Sequence, residues 1–403
     1  MKYDWTSIMD RHGRDAIAVD AFGRPGFGPT EEAAGKFDAI PMWIADMNFP
    51  TVPTIPAAII ERVNHPAFGY FSTTDEYYNG IINWHETRNG VTGLTKECIG
   101  YENGVLGGVV SALGVLCSKG DKVLVHSPTY VGFTMSLSNY GYEIVHSPLQ
   151  LDAEGVWRMD FEDMEKKIVE NKIHAAIFCS PHNPTGRVWE RWEIEKAMEL
   201  YKKHDVFVIS DEIWSDIILS RHKHIPTQSV SEDAKQRTLA MYAPSKTFNL
   251  AGLVGSYHIV YNSWLRDRLE KESSLSHYNS MNVMSMYALL GAYEPEGYEW
   301  AEELCQVITD NVDYACQYIA SRFEGVTVSK PQGTYMLFID CKQWLEKNNK
   351  TMDELLKAGW DVGVVWQDGR AFHGPTHIRI NLALPMRRVI EAFQRLDLYV
   401  FNA

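Results

Sequence analysis

Apolar positions recur along this chain in two periods. From about residue 120, short β-rich runs appear: KVLVHS at 122–127, HAAIFC at 174–179, DVFVIS at 205–210, TLAMYA at 238–243 and GSYHIV at 255–260. Between several of them lie stretches with helical spacing, such as Glu190 to His204. This alternation predicts a mostly parallel α/β sheet. Ahead of the sheet, Gly104 to Leu116 places small and apolar residues at helical spacing behind glycines. That stretch reads as a buried helix whose N-terminal amides can face an anion.

After Tyr298 the pattern changes. Leu304, Val307, Ile308, Val312, Ala315 and Ile319 share one face of a long helix predicted over Trp300 to Phe323. VTVSKPQGTYMLFID and HIRINLAL then read as strands separated by another helix, a second and smaller α/β layer. The Pro and Gly of YEPEGY put the domain change near 285–298. The expected division is an N-terminal arm over 1–47 packing on the small domain, a large domain over 48–290 and a small C-terminal domain over 291–403.

A chain of 403 residues with 45% apolar content is long enough for two such cores. Its 52 acidic and 38 basic residues leave a formal net charge of -14, with no Lys/Arg block suited to a phosphate backbone, so nucleic acid is not an expected partner. MKYDWTSIMDRHGRD carries charges throughout, and no run of about 18 consecutive apolar residues occurs. A cytoplasmic protein without a membrane partner is expected. The six cysteines form no CxxC pair, which argues against a disulfide scaffold or a thiolate zinc site. His222 and His224 of RHKH, without a nearby carboxylate pattern, are expected in an exposed polar loop rather than at a metal.

Three residues follow predicted strands: Asn183 in SPHNPTG, Asp211 after VFVIS and Lys246 in APSKTFNLAG. In an open parallel sheet the carboxyl ends of strands face the ligand crevice, so the three can converge. A lysine amine can form a Schiff base with an aldehyde cofactor, an aspartate can keep a pyridine nitrogen protonated, and an asparagine amide can donate to a ring oxygen. Taken singly, Asn183 also fits a turn cap, Asp211 a helix cap and Lys246 a solvated side chain. Both readings stand on these residues alone.

With PMWIADMNFP at 41–50, FGYFS at 68–72, SPTYVGF, SPHNPTGRVW, SDEIWSD, SKTFNLAG, GTYMLF and HIRINLALP, the chain resembles the fold-type I pyridoxal-phosphate enzymes. Within them it resembles the bacterial cystathionine beta-lyase group, which includes the maltose-regulon modulator protein and the aminotransferase B-like proteins. The resemblance covers nearly the whole chain. It implies a large mostly parallel α/β/α domain with a smaller C-terminal α/β domain, and pyridoxal 5'-phosphate as cofactor. Lys246 matches the lysine that holds the cofactor and moves the substrate α-proton, Asp211 the partner of the ring nitrogen, Asn183 the donor to the ring oxygen and Tyr130 the stacking aromatic. The resemblance puts the phosphate on the amides around Val105 and Leu106 after Gly104, with Ser245 helping. Tyr70 matches a tyrosine that reaches a neighbouring subunit's site, which implies a homodimer with shared active sites. Arg379 matches the clamp on the substrate α-carboxylate, and Trp43 lies in a segment that lines the substrate entrance.

Three positions depart from the family pattern: Ala243 where many relatives carry serine, Trp214 in place of a tyrosine or histidine, and Asn48 in place of an acid. The activity implied is carbon–sulfur β-elimination on cystathionine or related cysteine S-conjugates. The alternative is amino transfer between an L-amino acid and a 2-oxo acid, and a third reading is a non-catalytic regulator that retains the cofactor.

Overall fold

The computed structural model describes residues 1–276 and 279–402. After a two-residue strand β1 (Ile40–Pro41), eight strands build the main sheet: β2 (Ile99–Asn103), β3 (Lys122–Ser127), β4 (Glu143–Leu151), β5 (Trp157–Met159), β6 (Ala175–Cys179), β7 (Phe207–Asp211), β8 (Thr238–Tyr242) and β9 (Gly255–Ile259). Their spatial order is β2-β9-β8-β7-β6-β3-β4-β5. From β4 through β3, β6 and β7 to β8 every neighbour is parallel. The sheet is mostly rather than wholly parallel, as the alternation predicts: β9, from the GSYHIV run, is antiparallel to both β8 and β2.

Residues on β6 and β8 are buried throughout, as a sheet covered on both faces requires. Side-chain alternation divides the core. Val123, Val125, Ile177 and Ile209 join one cluster with Val109 and Leu113 of the helix Val105–Leu116, whereas Leu124, Ala176, Phe178 and Val208 meet Ile194 and Met198 of the helix Arg191–Lys203.

A four-stranded antiparallel sheet follows in the order β10-β11-β14-β13, from β10 (Thr327–Val328), β11 (Met336–Asp340), β13 (Gln367–Asp368) and β14 (His377–Asn381). β12 (Val364–Val365) pairs in parallel with β1, tying the N-terminal region to this part of the fold. The long helix starts five residues before Trp300, running Pro295–Arg322. Pro295 of YEPEGY opens that helix, because proline at the first turn gives up an N–H that would be unpaired anyway. All six residues predicted for its apolar face are buried, against Leu337, Ile339, Ile378 and Ile380.

That helix also reaches the body of the main sheet. Its Tyr298 ring lies 4.3 Å from Trp84, Glu302 pairs with Arg88 at 2.9 Å, and Asn311 donates to the carbonyls of Leu382 and Leu384. Trp5 packs on Trp300 at 5.0 Å and donates to Glu303 at 2.8 Å. No helix among the described residues is long and apolar enough to cross a membrane, and no His/Cys/Asp/Glu group among them could hold a metal. His222 is exposed as expected, but the side chain of His224 is buried and pairs with Glu212 at 2.7 Å. That carboxylate sits on the turn after β7, where no spacing local to RHKH announces it.

Candidate active site

A cavity of about 260 Å³ opens at the carboxyl ends of β6, β7 and β8. It is lined by Gly104, Val105, Leu106, Tyr130, Asn183, Asp211, Ser245 and Lys246, together with Trp214 and Ala243. Eight sequence-predicted residues therefore share one wall. Arg379 joins them from β14 by donating to Asn183 Oδ1 at 3.1 Å.

Gly104 ends β2 with φ +77° and ψ 153°, a conformation side chains resist, and the helix Val105–Leu116 begins there without a side-chain cap. Its first amides are left to face the cavity. Tyr130 precedes the helix Val131–Tyr140, and Gly132 leaves room for its ring: a Cβ there would stand 2.4 Å from the Tyr130 ring.

Asp211, the last residue of β7, is buried and accepts the Ile213 N–H at 3.1 Å. Burial raises its carboxyl to about 7, although the Ile213 amide and Lys246 pull the other way. Lys246 donates from Nζ to the Ala45 carbonyl at 3.1 Å and lies 5.8 Å above the Trp214 ring. Burial and the Arg379 charge lower its amine to about 8, opposed by Asp46 and Asp211.

Arg379 is buried, its guanidinium 4.2 Å from the Phe372 ring. Besides Asn183 it donates to the Trp43 carbonyl at 3.2 Å and to Gln367, while its Nε, also buried, has no partner. Burial lowers it to about 10, so it is cationic at neutral pH. Each of its partners is a neutral acceptor, which leaves its charge for an incoming anion.

Trp43 packs its indole away from Arg379 and reaches that residue through its backbone. Its ring nitrogen donates to Ala18 and its ring packs edge-on against Phe27 at 4.9 Å, while its backbone carbonyl holds Arg379. Tyr70 is fully exposed and lies outside the cavity, beside exposed Phe68 and Phe71. Asn48 donates to the Pro41 carbonyl at 3.4 Å.

The sequence pattern gives no sign of Ala45, Gln367 or Phe372, whereas Cys179 lies near Asn183 in the chain. Gln367 stands opposite Arg379 in the β13–β14 register, information that resides in strand pairing. Cys179 lines the cavity, where its Sγ accepts the Asn183 N–H at 3.4 Å.

Residues 40–396 match the family model for aminotransferase class I and II. The chain is 31% identical to cystathionine beta-lyase PatB of Bacillus subtilis over 91% of this chain and 94% of that protein, and 28% identical to protein MalY of Escherichia coli over 96% of each. The crystal structure of the PLP-bound C-S lyase from Staphylococcus hominis superposes with a TM-score of 0.88, at 30% identity over 99% of each chain. With a family model matched from β1 to the last long helix and a full-length relative above 30% identity, this chain belongs to the class I and II aminotransferase family.

Proposed function

We propose that this protein is a pyridoxal-phosphate-dependent carbon–sulfur β-lyase that cleaves cystathionine or related cysteine S-conjugates. The observation that carries the reading is a single cavity lined by Asp211 and Lys246, with Arg379 bonded to its lining residue Asn183, and none of the three ionisable groups has an ion-pair partner among the described residues. That donor set fits the cofactor: uncapped amides for a phosphate, a carboxylate lacking a cation for a ring nitrogen, and an amine of lowered pKa for an aldehyde. Similarity to a cystathionine beta-lyase and a C-S lyase supports the choice of reaction.

When bound, pyridoxal phosphate supplies an aldehyde that captures amines and a ring that accepts the electrons of a broken Cα–H bond. Asp211 would hold a proton on the ring nitrogen. A cation placed there also reverses the effect of burial and keeps the carboxyl ionised. Asn183, whose Oδ1 accepts from Arg379, would have its Nδ2 free to donate to the ring oxygen. The guanidinium fork of Arg379, already braced by Asn183, Gln367 and Trp43, receives the substrate α-carboxylate and fixes which bond at Cα faces Lys246. Lys246 Nζ, with an amine near 8, takes the α-proton as a general base. A thiolate on the β-carbon then leaves, and water completes the conversion to pyruvate and ammonia. We also infer that Tyr70 completes the site of a second copy of the chain in a homodimer.

The test is to incubate the purified holoenzyme with L-cystathionine, with and without a 2-oxo acid, and follow products in time. Homocysteine, pyruvate and ammonia should appear in equal amounts without the 2-oxo acid. Stoichiometric amino transfer with negligible thiol release from several S-conjugates would replace this reading with an aminotransferase.

A further inference from the structure

The backbone stretch 43–48 touches both working cations. Trp43 O accepts from Arg379 and Ala45 O from Lys246, at 3.2 and 3.1 Å. Asn381 donates to the carbonyls of Ile44 and Asp46 at 2.8 and 2.7 Å, and Asn249 makes two bonds with Met47. One further side chain grips the stretch, and it comes from the N-terminal arm. Arg11 Nη2 meets Asp46 Oδ2 at 2.7 Å and Nη1 donates to the Met47 carbonyl at 3.2 Å, both side chains being largely buried.

We propose that Arg11 is a positioning residue: by engaging the Asp46 carboxylate it keeps that carboxylate from pairing with Lys246, and so keeps the lysine able to act as a base. The inference rests on the role given to Lys246 above. Asp46 is adjacent to the carbonyl that holds Nζ, and its charge already acts on the amine. The groups facing Lys246 are Arg379 from β14, Asp211 from β7, Asp46 from the 43–48 stretch and the Trp214 ring. Those facing Asp46 are Arg11, Lys246 and the buried Tyr335. Without Arg11, Asp46 is left unpaired one residue from the Ala45 carbonyl that holds the Lys246 ammonium. A pair formed there stabilises the protonated amine, the form that cannot take a proton. Arg11→Lys retains a cation but cannot grip carboxylate and carbonyl with one planar fork.

The test titrates Lys246 directly, by competitive acetylation of the cofactor-free full-length chain with acetic anhydride across pH and mass spectrometry of the Lys246 peptide. Arg11→Gln should raise the labelling midpoint by about one pH unit, Arg11→Lys should return part of the way, and Arg11→Gln combined with Asp46→Asn should cancel the rise. In the holoenzyme the acid limb of kcat/KM should move by the same amount. A lowered Tm with an unmoved midpoint in Arg11→Gln would make Arg11 merely structural and overturn the proposal. Should Arg11→Gln not fold, Asp46→Asn alone must lower the midpoint, and an unmoved midpoint there overturns the proposal equally. Because the midpoint is read without cofactor or substrate, failure here is separate from failure of the lyase reading.

Discussion

Asp211 and Glu212 are consecutive, both carboxylic and both buried, yet the structure treats them in opposite ways. Glu212 points behind the cavity wall, where it accepts from Ser210, His224, Tyr242 and the Thr227 amide. Burial alone would push its carboxyl up, but those partners, His224 foremost, outweigh burial and hold it below the usual range. Asp211 faces the cavity with one backbone amide and is pushed up to about 7. The same contrast extends outward. Behind the wall, Asp216 meets Arg88 at 3.2 Å and Glu102 meets His258 at 2.8 Å, whereas Lys246 and Arg379 at the cavity rely on neutral acceptors. Paired groups build the scaffold, and the groups left without a counter-ion are those to which the proposed mechanism gives the chemistry.

Removing the amine that faces Asp211 should have the largest effect. Lys246→Ala is expected to abolish the borohydride-reducible cofactor linkage and to cut turnover more than about a thousandfold, since both anchor and base are lost. Reduced peptide maps and steady-state rates check this.

Exchanging each carboxylate for its amide separates the two sides of the wall. Asp211→Asn should lower turnover about 100- to 1,000-fold and leave the apoprotein as stable as before or more so, because the variant no longer buries a carboxyl without a cation. Glu212→Gln should lose about 3 kcal/mol of stability by leaving His224 without its carboxylate, seen as a fall of several degrees in Tm. If both variants lost stability equally, the division between scaffold and site would not hold.

Arg379→Ala carries the contrast to a cation. Binding of substrates with a free α-carboxylate should weaken by about 1.5–3 kcal/mol, roughly ten- to a hundredfold, with cofactor occupancy little changed. Equal losses for carboxylate and carboxamide substrates would make Arg379 structural.

The smallest effect is a pair of slopes. The ordinary carboxyl value for Asp211 is 3.8, and in the fold it is about 7. Between these the unfolded chain is ionised and the folded one still protonated, so this group's contribution to apoprotein stability falls as pH rises from about 4 to 7. Glu212 lies below its ordinary 4.5, so its contribution is present above that value and is lost as pH falls through the folded one. Denaturant titrations at several pH values should show the Asp211→Asn difference declining with pH over about 4 to 7, and the Glu212→Gln difference rising with pH below 4.5.

Much of the cavity was legible in the chain because its residues sit at strand ends, which hydrophobic runs mark well. Asn183, Asp211 and Lys246 each follow such a run, and the three do converge. Arg379 was reached through the family resemblance of HIRINLALP rather than from the pattern, since an arginine between two buried isoleucines in a strand does not by itself announce a cavity. What stayed hidden depends on pairing between distant segments. Gln367 reaches Arg379 through register, Ala45 reaches Lys246 by the path of an irregular backbone, and His224 finds Glu212 across a turn. The direction of β9 was hidden for the same reason, since an apolar run carries no sign of which way it runs against its neighbours.

The 28-residue helix Pro295–Arg322 has a mechanical consequence. At 1.5 Å per residue it is a rod about 42 Å long, fastened near its start to Trp84 and Arg88 and further along to the carbonyls of Leu382 and Leu384. Two bodies bolted to one rod cannot swing freely as they would on a flexible linker. Displacement of the β14 sheet against the main sheet would have to bend the rod, so small excursions with a restoring force are expected at the Arg379–Asn183 contact.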